Sequence, residues 1–570
     1  MKYTRNIILF FTLFLPFAAM TQPLALNDFF GTQPFLPKYP IIPANKGMLS
    51  QTQIMFDHPY TKKAVVYQLN IYEMKGKDSS LFRSVKDSSC ATLLEGFEFG
   101  KSYKWNYVSY DAKNKVLATS SMYDFTILPL PNKNRVRVIV NDSLANQGGL
   151  ISFDYHCMIT NRRGTPIWFL PDPATKEFTR DDKVRDLRIT PAGTCTFITQ
   201  RNAFEIVPDG RILWRAPKSG PNTMEILHHG IERLPNGNLM TLGNHTVKTP
   251  VPNDTGSIKI EYGVIGEYDH SGKLVWKWDS YNYLQPGDIE FRKLSTGEWV
   301  SSSHMNAFRV SADGKYVYAG FRDLDRIVMI DKERGVVVES YGRLMPSGAA
   351  PKGHNFFHAQ HDIALLSDGM MAVFNNDSIT KDGVVSSIVV FGHARTGEDA
   401  QIAWRFACNF DKLTNGKSEK GGSVDELPNG NLLVNFGTLN RCIEISRDGK
   451  IVWDAFTESF AADSGIWRAA GQYRSHYSSS LYPCYFTAAI KTATKKLVVV
   501  DIWNEGTEPD AYYTERKRPE GTWERSVTPL IIGPGEHKPV EFARSKSAPL
   551  NEIRIVSATN AEFVRLLTVN

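Results

Sequence analysis

Several histidines stand at equivalent positions of a sequence unit that recurs along the chain. Counting eight residues back from the hairpin glycine of successive units reaches His229, Asn306 and His361, and His304 lies two residues before Asn306. A neutral imidazole is a nucleophile near physiological pH, and it can also donate or accept a proton. The pattern therefore predicts that imidazoles from different parts of the chain meet in one site.

Polar or small residues occupy the same position in two further units. The count reaches Arg185 in one unit and Gly422 in another, where Ser423 follows. Residues two apart in a strand share a face, so His304 and Asn306 are expected to point the same way. A single histidine at the start of a strand is usually structural, but repetition in register favours a shared pocket.

Other histidines nearby carry less information. Adjacent residues face opposite sides of a strand, so at most one of His228 and His229 is expected to serve the pocket. We interpret His354, His358 and His476 as loop residues.

The elements that must position these side chains are short strands joined by tight turns. One recurring unit is a turn followed by apolar residues and often Trp, as in "DGRILWR" and "DGKIVWDA". A second unit alternates with it, as in "ERLPNGNLMTLGN", "LLSDGMMAVFNN" and the looser "IKTATKKLVVVDIWN". Asn-Gly and Asp-Gly between apolar runs favour hairpins. Six copies of each unit predict a six-bladed β-propeller, with seven blades as the alternative, in which strand starts converge on a central channel.

The rest of the chain divides around this repeat. Alternating strands at about 45–130 predict a small β-sandwich, and "LPLPNKN" at 128–134 has the composition of a linker. The expected domains are a signal peptide at 1–21, a β-sandwich with its linker at 22–134, and a propeller with a C-terminal extension at 135–570. The overall fold class is therefore predicted to be all-β.

Composition and the N-terminus limit the functional class. Lys2 and Arg5 precede an apolar run from Ile7 to about Met20, which is typical of a secretory signal, so we expect a periplasmic or secreted protein without stable membrane insertion. The net charge of +6 is scattered, with no basic stripe that would indicate nucleic acid. The six cysteines have no metal-ligand spacing, and their pairing cannot be deduced from sequence.

Four stretches, in order, carry a family resemblance: "HHGIERLPNGNLMTLGN", "SSHMNAFRVSADGKYVYAGFRDLDRIVMID", "QHDIALLSDGMMAVFNND" and "GGSVDELPNGNLLVNFG". Over roughly residues 140–480 the chain resembles the bacterial arylsulfate sulfotransferases and their wider superfamily. The resemblance implies a six-bladed propeller, transfer of a sulfuryl group from a phenolic sulfate to a phenol, and no nucleotide sulfate donor. It also implies no cofactor and no metal, and it leaves a homodimer open.

The resemblance also implies roles for individual residues. His361 in "QHD" would be the nucleophile that becomes sulfated, and His304 and Asn306 match an H-x-N element. Arg322, eighteen residues after His304, stands where the family carries an active-site arginine. His229 matches the first-blade histidine of the family, and Ser423 falls near a family hydroxyl residue. The candidate catalytic residues are therefore His361, His304, Arg322 and His229, and the candidate substrate-binding residues are Asn306, Ser423, His228 and His358.

The sequence departs from the family pattern at two places. Gly230 replaces the aspartate of an "HHD" element, and "NNDSITKDG" has Lys381 where a charged partner of the nucleophile is expected. Three other functions stay open: a propeller that only binds a ligand or protein, a related sulfate-ester hydrolase, and a divalent-cation site made of the three histidines.

Overall fold

The regular structure of the described residues is almost all β, and most strand pairs are antiparallel. The computed structural model describes residues 35–36, 40–131, 133–171, 183–199, 202–217, 226–251, 256–297, 299–348, 351–380, 383–392, 398–413, 416–545 and 549–569. The predicted signal peptide lies outside the described residues. Within them the helical segments are four short 3-10 turns: Ser280–Asn282, Pro286–Asp288, Arg322–Leu324 and Gly437–Leu439.

The N-terminal part is a small unit of two sheets. One sheet has the strand order β1-β8-β6-β3-β4 with β7 beside β6, and the other pairs β2 with β5. Leu69, Trp105 and Phe125 of the larger sheet share a buried core with Phe56 of the smaller one. The strands are β1 (Gly47–Leu49), β2 (Ile54–Asp57), β3 (Val66–Lys75), β4 (Asp78–Asp87), β5 (Ala91–Leu94), β6 (Ser102–Tyr110), β7 (Val116–Thr119) and β8 (Tyr123–Ile127).

The middle of the chain supplies the strands of a ring. These are β9 (Asn134–Asn141), β10 (Leu150–Phe153), β11 (Met158–Asn161), β12 (Pro166–Phe169), β13 (Arg185–Ile189), β14 (Cys195–Ile198), β15 (Ala203–Ile206), β16 (Ile212–Arg215), β17 (Ile226–Arg233), β18 (Leu239–Pro250), β19 (Ser257–Tyr268), β20 (Leu274–Asp279), β21 (Arg292–Lys293), β22 (Trp299–Ser302), β23 (Met305–Val310), β24 (Tyr316–Phe321), β25 (Arg326–Asp331), β26 (Val336–Gly342), β27 (His361–Leu365), β28 (Met370–Thr380), β29 (Gly383–Gly392), β30 (Ile402–Ala407), β31 (Ser423–Glu426), β32 (Leu432–Asn435), β33 (Arg441–Ile445), β34 (Ile451–Ala461), β35 (Ile466–Ala469) and β36 (Ser475–Ser478).

Within the described residues these strands form six successive sheets of the same pattern. They are β36-β10-β11-β12, β13 to β16, β17 to β20, β23 to β26, β27 to β30 and β31 to β34, with β21, β22, β35 and β9 as additions. The innermost strands β36, β13, β17, β23, β27 and β31 contact one another in a closed ring. The prediction of an all-β propeller behind a small β-sandwich is confirmed. The blade number for the whole chain stays a prediction.

The two sequence units correspond to two different hairpins of each sheet. The "LPNG" and "LSDG" turns join the innermost strand to the second strand, and Gly237 and Gly369 adopt φ of 87° and 85° there. Such φ values favour glycine. The side chains before them, Asn236 and Asp368, accept hydrogen bonds from the backbone amides two residues on. The units with Trp form the hairpin of the third and outer strands.

The recurring tryptophan ties four of the six described ring sheets to the next sheet. The indole Nε1 of Trp168 donates to the Pro208 carbonyl at 2.7 Å, and Trp214 and Trp276 make equivalent bonds to Asp269 and Lys332. Trp453 of the last sheet donates to the Arg162 carbonyl of the first sheet at 2.7 Å. The sequence pattern that marks a repeat thus also supplies the bond between repeats and closes the ring.

The C-terminal part forms two further sheets, β37-β38-β42 and β40-β39-β43-β44, with β41 beside β39. Their core is continuous with that of the first two ring sheets, through Phe486, Tyr512, Phe197 and Phe204. The strands are β37 (Phe486–Ala493), β38 (Leu497–Asn504), β39 (Asp510–Lys517), β40 (Trp523–Arg525), β41 (Leu530–Ile532), β42 (His537–Ala543), β43 (Glu552–Ser557) and β44 (Val564–Thr568).

One assignment of the repeat was wrong. The segment "IKTATKKLVVVDIWN", counted as the sixth second-type unit, forms β37 and β38 outside the ring. The innermost strand of the closing sheet is instead β36, which pairs with β10 from about 320 residues earlier, for example through Ser152 and His476. The closing strand has no hairpin partner next to it in sequence, so the turn signal that identifies the other units is missing.

Candidate functional site

The starts of the innermost strands form one mouth of the central channel, and their backbones are irregular there. Register shifts interrupt the pairing of β13, β17, β23 and β27 near their first residues. Asp186, His229, His304 and Asp362 adopt positive φ of 55°, 66°, 44° and 54° at these places. Non-glycine residues in this region cost free energy and concentrate at functional sites. The strain marks this mouth as the candidate site.

Three of the predicted histidines meet at this mouth. The ring centroids of His229 and His304 are 5.5 Å apart. The ring centroid of Tyr473 lies 5.7 Å from that of His229 and 5.8 Å from that of His361. The imidazoles come from β17, β27 and the residue before β23, so neighbouring repeats contribute one histidine each.

His361 is buried and, among the described residues, is hydrogen-bonded through Nδ1 alone. Its side chain is 3% exposed, and Nδ1 lies 2.8 Å from Oδ1 of Asn376 on β28. Burial lowers the pKa of His361 to about 3, with Arg322, His304 and Arg474 adding to the effect and the bond to Asn376 opposing it. At neutral pH this imidazole is therefore uncharged and keeps a nitrogen lone pair.

His228 and His229 form a hydrogen-bonded pair. Their Nδ1 atoms are 2.6 Å apart, and Nε2 of His228 lies 2.5 Å from Oδ1 of Asn244. Burial lowers the pKa of His228 to about 4 and that of His229 well below its ordinary value. The left-handed backbone at His229 breaks the alternation of faces, so both imidazoles lie at the site, whereas we had expected only one to do so.

The side chain of His304 is one-third exposed, whereas His361 and His228 are buried. Its Nδ1 lies 3.3 Å from Asp323, whose other oxygen accepts from Arg322 at 2.6 Å. Burial opposes ionisation of Asp323, but the bond to His304 and the charge of Arg322 lower its pKa overall. Arg322 also donates its backbone amide to the His304 carbonyl at 2.9 Å. These residues form a polar edge of the mouth that solvent can reach.

A network of buried charges lies beneath the histidines. The Arg474 side chain is 2% exposed and lies 3.1 Å from Asp186 and 4.0 Å from Asp362. His476 contacts Asp186 at 2.9 Å and Asp425 at 2.7 Å. Charges that are paired and hydrogen-bonded in this way tolerate burial. The network fixes the innermost strands against one another and so holds the site.

Three predicted residues have other partners. The Asn306 side chain is fully buried and donates to the Gln360 carbonyl at 2.9 Å, so it supports the segment before His361. The buried Ser423 hydroxyl donates to the Ser475 carbonyl at 3.2 Å. His358 is 42% exposed and faces Asp325 at 3.2 Å. The bulge after Met305 also removes the alternation on which the shared face of His304 and Asn306 depended.

Sequence reasoning assigned no role to three residues of the site. Tyr473 precedes the closing strand, where no repeat signal points to it, and its buried hydroxyl has no hydrogen-bond partner among the described residues. The Arg185 guanidinium lies 5.2 Å from the Tyr473 ring. Asn376 stands inside the quoted stretch "NND", so its position after the hairpin could have identified it.

Of the two positions that depart from the family pattern, Gly230 lies among described residues, and its surroundings are visible in the structure. A Cβ atom at Gly230 would meet the Phe308 ring at 3.3 Å, Arg474 at 3.5 Å and Asp186 at 3.5 Å. Asp186 already accepts from the Ile231 amide at 2.8 Å, so a carboxylate is present beside this position although residue 230 lacks one. Lys381, the other departure, lies outside the described residues.

The described part of the chain contains no group of three or more metal-ligating side chains arranged for a metal ion. None of the helices described is long and apolar enough to cross a membrane. All six cysteines are free thiols. At the opposite end of the innermost strands, Arg188, Arg309 and Asp425 line a cavity of about 660 Å³.

A family model described as "Arylsulfotransferase (ASST)" matches residues 151–442, just over half of the chain. No curated protein matches the chain.

Solved structures that the chain resembles are distant. A protein of unknown function from Bacteroides caccae has 15% identity and a TM-score of 0.33, and the match covers 56% of this chain and 93% of that one. A streptogramin B lyase has 13% identity and a TM-score of 0.31, covering 69% and 96%. The hydrazine synthase of Kuenenia stuttgartiensis has 11% identity and a TM-score of 0.30, covering 52% and 98%.

Proposed function

Because this chain belongs to the arylsulfotransferase family, we propose that it passes a sulfuryl group from a phenolic sulfate to a phenol through a sulfohistidine at His361. The observation that carries the proposal is the environment of His361. A buried imidazole whose pKa lies at about 3 is uncharged at neutral pH and is a competent nucleophile. His229, His304 and Tyr473 lie at the same mouth and supply polar groups around His361.

In the first step a lone pair of His361 attacks sulfur. An N–S bond forms while the bond between sulfur and the aryl oxygen breaks, and that oxygen leaves with the electron pair. Arg322 offsets negative charge on the sulfuryl oxygens, since its guanidinium acts close enough to His361 to lower the pKa of that imidazole. His304, which is one-third exposed, donates a proton to the departing phenolate.

In the second step an acceptor phenol enters the same mouth. His304 now takes the phenolic proton, the oxygen attacks sulfur, and the N–S electron pair returns to His361. His229 is neutral and buried, and its ring lies beside that of His304, where it helps to position the acceptor for proton transfer to His304. Because the donor and the acceptor occupy the same mouth one after the other, we expect ping-pong kinetics. We also propose export of the protein, on the basis of the signal-like residues 1–21.

Intact mass after brief exposure to 4-nitrophenyl sulfate tests the proposal. We expect the wild-type protein to gain one SO3 group and release one nitrophenol. The His361→Ala variant should do neither, because it lacks the imidazole that attacks sulfur. The control is His537→Ala, which removes an exposed imidazole of the C-terminal unit.

Two results would contradict the proposal. An adduct of equal yield in His361→Ala would place the nucleophile elsewhere. Nitrophenol release by the wild type with water as the sole acceptor, unchanged by added phenol, would identify a hydrolase instead.

A further inference from the structure

The orientation of the Asn376 side chain is fixed by two backbone carbonyls. Its amide is 1% exposed, and Nδ2 donates to the carbonyls of Ser418 at 2.9 Å and Gly421 at 3.0 Å. A carbonyl oxygen only accepts, so the NH2 group of the amide must face these two atoms. The amide oxygen Oδ1 must then face His361.

This orientation determines which nitrogen of His361 carries the proton. Oδ1 of Asn376 can only accept, and Nδ1 of His361 lies 2.8 Å from it, so Nδ1 must be the donor. A neutral imidazole has one protonated nitrogen, which leaves Nε2 with its lone pair. We propose that Asn376 is a positioning residue that fixes this tautomer and thereby makes Nε2 of His361 the nucleophile. The inference rests on the proposed function.

An amide suits this position better than a carboxylate. When Nε2 forms the N–S bond, the ring keeps its Nδ1 proton and becomes a positively charged sulfoimidazolium. An amide oxygen accepts the hydrogen bond without removing that proton, so the ring stays charged and remains a good leaving group when the acceptor attacks. A carboxylate would favour the protonated imidazole before the reaction and so remove the lone pair on Nε2.

The neighbouring sheet provides a matched control. Asn435 of β32 is also 1% exposed, and its Nδ2 donates to the carbonyls of Gln472 at 3.2 Å and Tyr473 at 3.3 Å. Its Oδ1 has no partner among the described residues. Asn435 therefore makes the same bridge to a loop as Asn376, but it holds no imidazole.

The test compares Asn376→Asp with Asn435→Asp by two measurements. Two-bond 1H–15N correlation spectra of 15N-histidine-labelled protein report the tautomer, with His361 assigned from a His361→Gln spectrum. The rate of SO3 adduct formation is measured between pH 5 and 9. Each variant loses the two hydrogen bonds from the amide nitrogen to the loop carbonyls. A loss of stability that both variants share therefore cancels when their adduct rates are compared.

We expect wild-type His361 to carry its proton on Nδ1 at pH 7. Asn376→Asp should raise the pKa of His361, and its adduct rate at pH 6 should fall on the order of tenfold or more and recover as pH rises, since each pKa unit corresponds to a factor of ten. Asn435→Asp should keep the wild-type pH profile.

An Nε2–H tautomer in the wild type, or the same pH profile in both variants, would overturn the inference. An Nδ1–H tautomer in a wild-type protein that forms no adduct would overturn the proposed function and leave the tautomer assignment standing.

Discussion

Burial controls the protonation of the imidazoles at the channel mouth. His228 and His361 are 8% and 3% exposed, and burial lowers their pKa values to about 4 and about 3. His304 differs in exposure, since a third of its side chain is exposed beside Asp323. The site therefore combines buried neutral imidazoles, suited to nucleophilic attack and hydrogen-bond acceptance, with one imidazole that solvent can reach.

Tyr473 provides a prediction at the residue scale. Its buried hydroxyl lacks a partner among the described residues, and its ring centroid lies 5.7 Å from that of His229 and 5.8 Å from that of His361. If it donates to a sulfuryl oxygen, Tyr473→Phe should lower the rate of adduct formation by about tenfold or more. The free energy of unfolding should hardly change, because the hydroxyl gives up no hydrogen bond to a described residue.

Stopped-flow release of nitrophenol and urea denaturation measure these two quantities. Tyr512→Phe, which alters an equally buried tyrosine of the C-terminal unit, is the control. A rate for Tyr473→Phe equal to that of the control would exclude contact between the hydroxyl and the sulfuryl group.

At the scale of elements, neighbouring sheets satisfy one another's backbone groups. At four of the junctions between described ring sheets, the outer hairpin of one sheet presents a carbonyl to which the tryptophan of the preceding sheet donates. Near the channel, the Asp186 carboxylate accepts from the Ile231 amide of the next sheet, and Asp362 accepts similarly from Val424. These bonds set the rotation between sheets and thus the distances between histidines on different strands.

Trp453 provides the prediction at this scale. Its side chain is fully buried, and its indole closes the ring by donating to the Arg162 carbonyl. Trp453→Phe should lower the free energy of unfolding by about 1–3 kcal/mol, because a carbonyl loses its partner and a cavity is left.

Equilibrium urea denaturation measures this change. Trp404→Phe is the control, because Trp404 is only partly buried and stacks on Phe406 with no indole hydrogen bond among the described residues. Equal losses in the two variants would contradict a special role of the ring-closing bond.

At the scale of the whole molecule, the terminal units brace the ring. Arg565 of β44 lies 2.6 Å from Asp57 of the N-terminal unit, and Tyr485 donates to the same carboxylate at 2.6 Å. His270, in the turn after β19, lies 3.0 Å from Glu205 of β15 and 2.5 Å from Glu562 of the C-terminal unit. These contacts join parts of the chain that are remote in sequence.

The His270 contacts predict a pH-dependent stability. Burial opposes protonation of His270, but Glu205 and Glu562 outweigh it and raise its pKa from 6.5 to about 9. A raised pKa in the folded state stabilises the fold fully below pH 6.5, and this contribution disappears as pH rises from 6.5 to 9.

The measurement is urea denaturation of wild type and His270→Gln at pH 6 and pH 9.5. The difference in unfolding free energy should be large at the lower pH and small at the higher one. His245→Gln, which removes a more exposed imidazole beside Asp279, is the control. A difference that is independent of pH would show that His270 is not charged in the folded protein.

The sequence by itself determined the repeat and the positions of the chemically active residues within it. Asn-Gly and Asp-Gly turns are local signals, because two residues and one glycine φ suffice to form them. A count from those turns therefore located His229, His304 and His361 at one end of neighbouring strands. The family resemblance added Arg322 and the assignment of His361 as nucleophile.

Only the tertiary structure decided which side chains meet and in which protonation state. The closing strand β36 pairs with a strand from the other end of the ring, so no local signal placed Tyr473 at the site. The bulges at His229 and His304 overrode the alternation of faces, and thus His228 joined the site while Asn306 turned to a backbone carbonyl. Burial, which no single segment determines, set the pKa of His361, and carbonyls from a separate loop oriented Asn376.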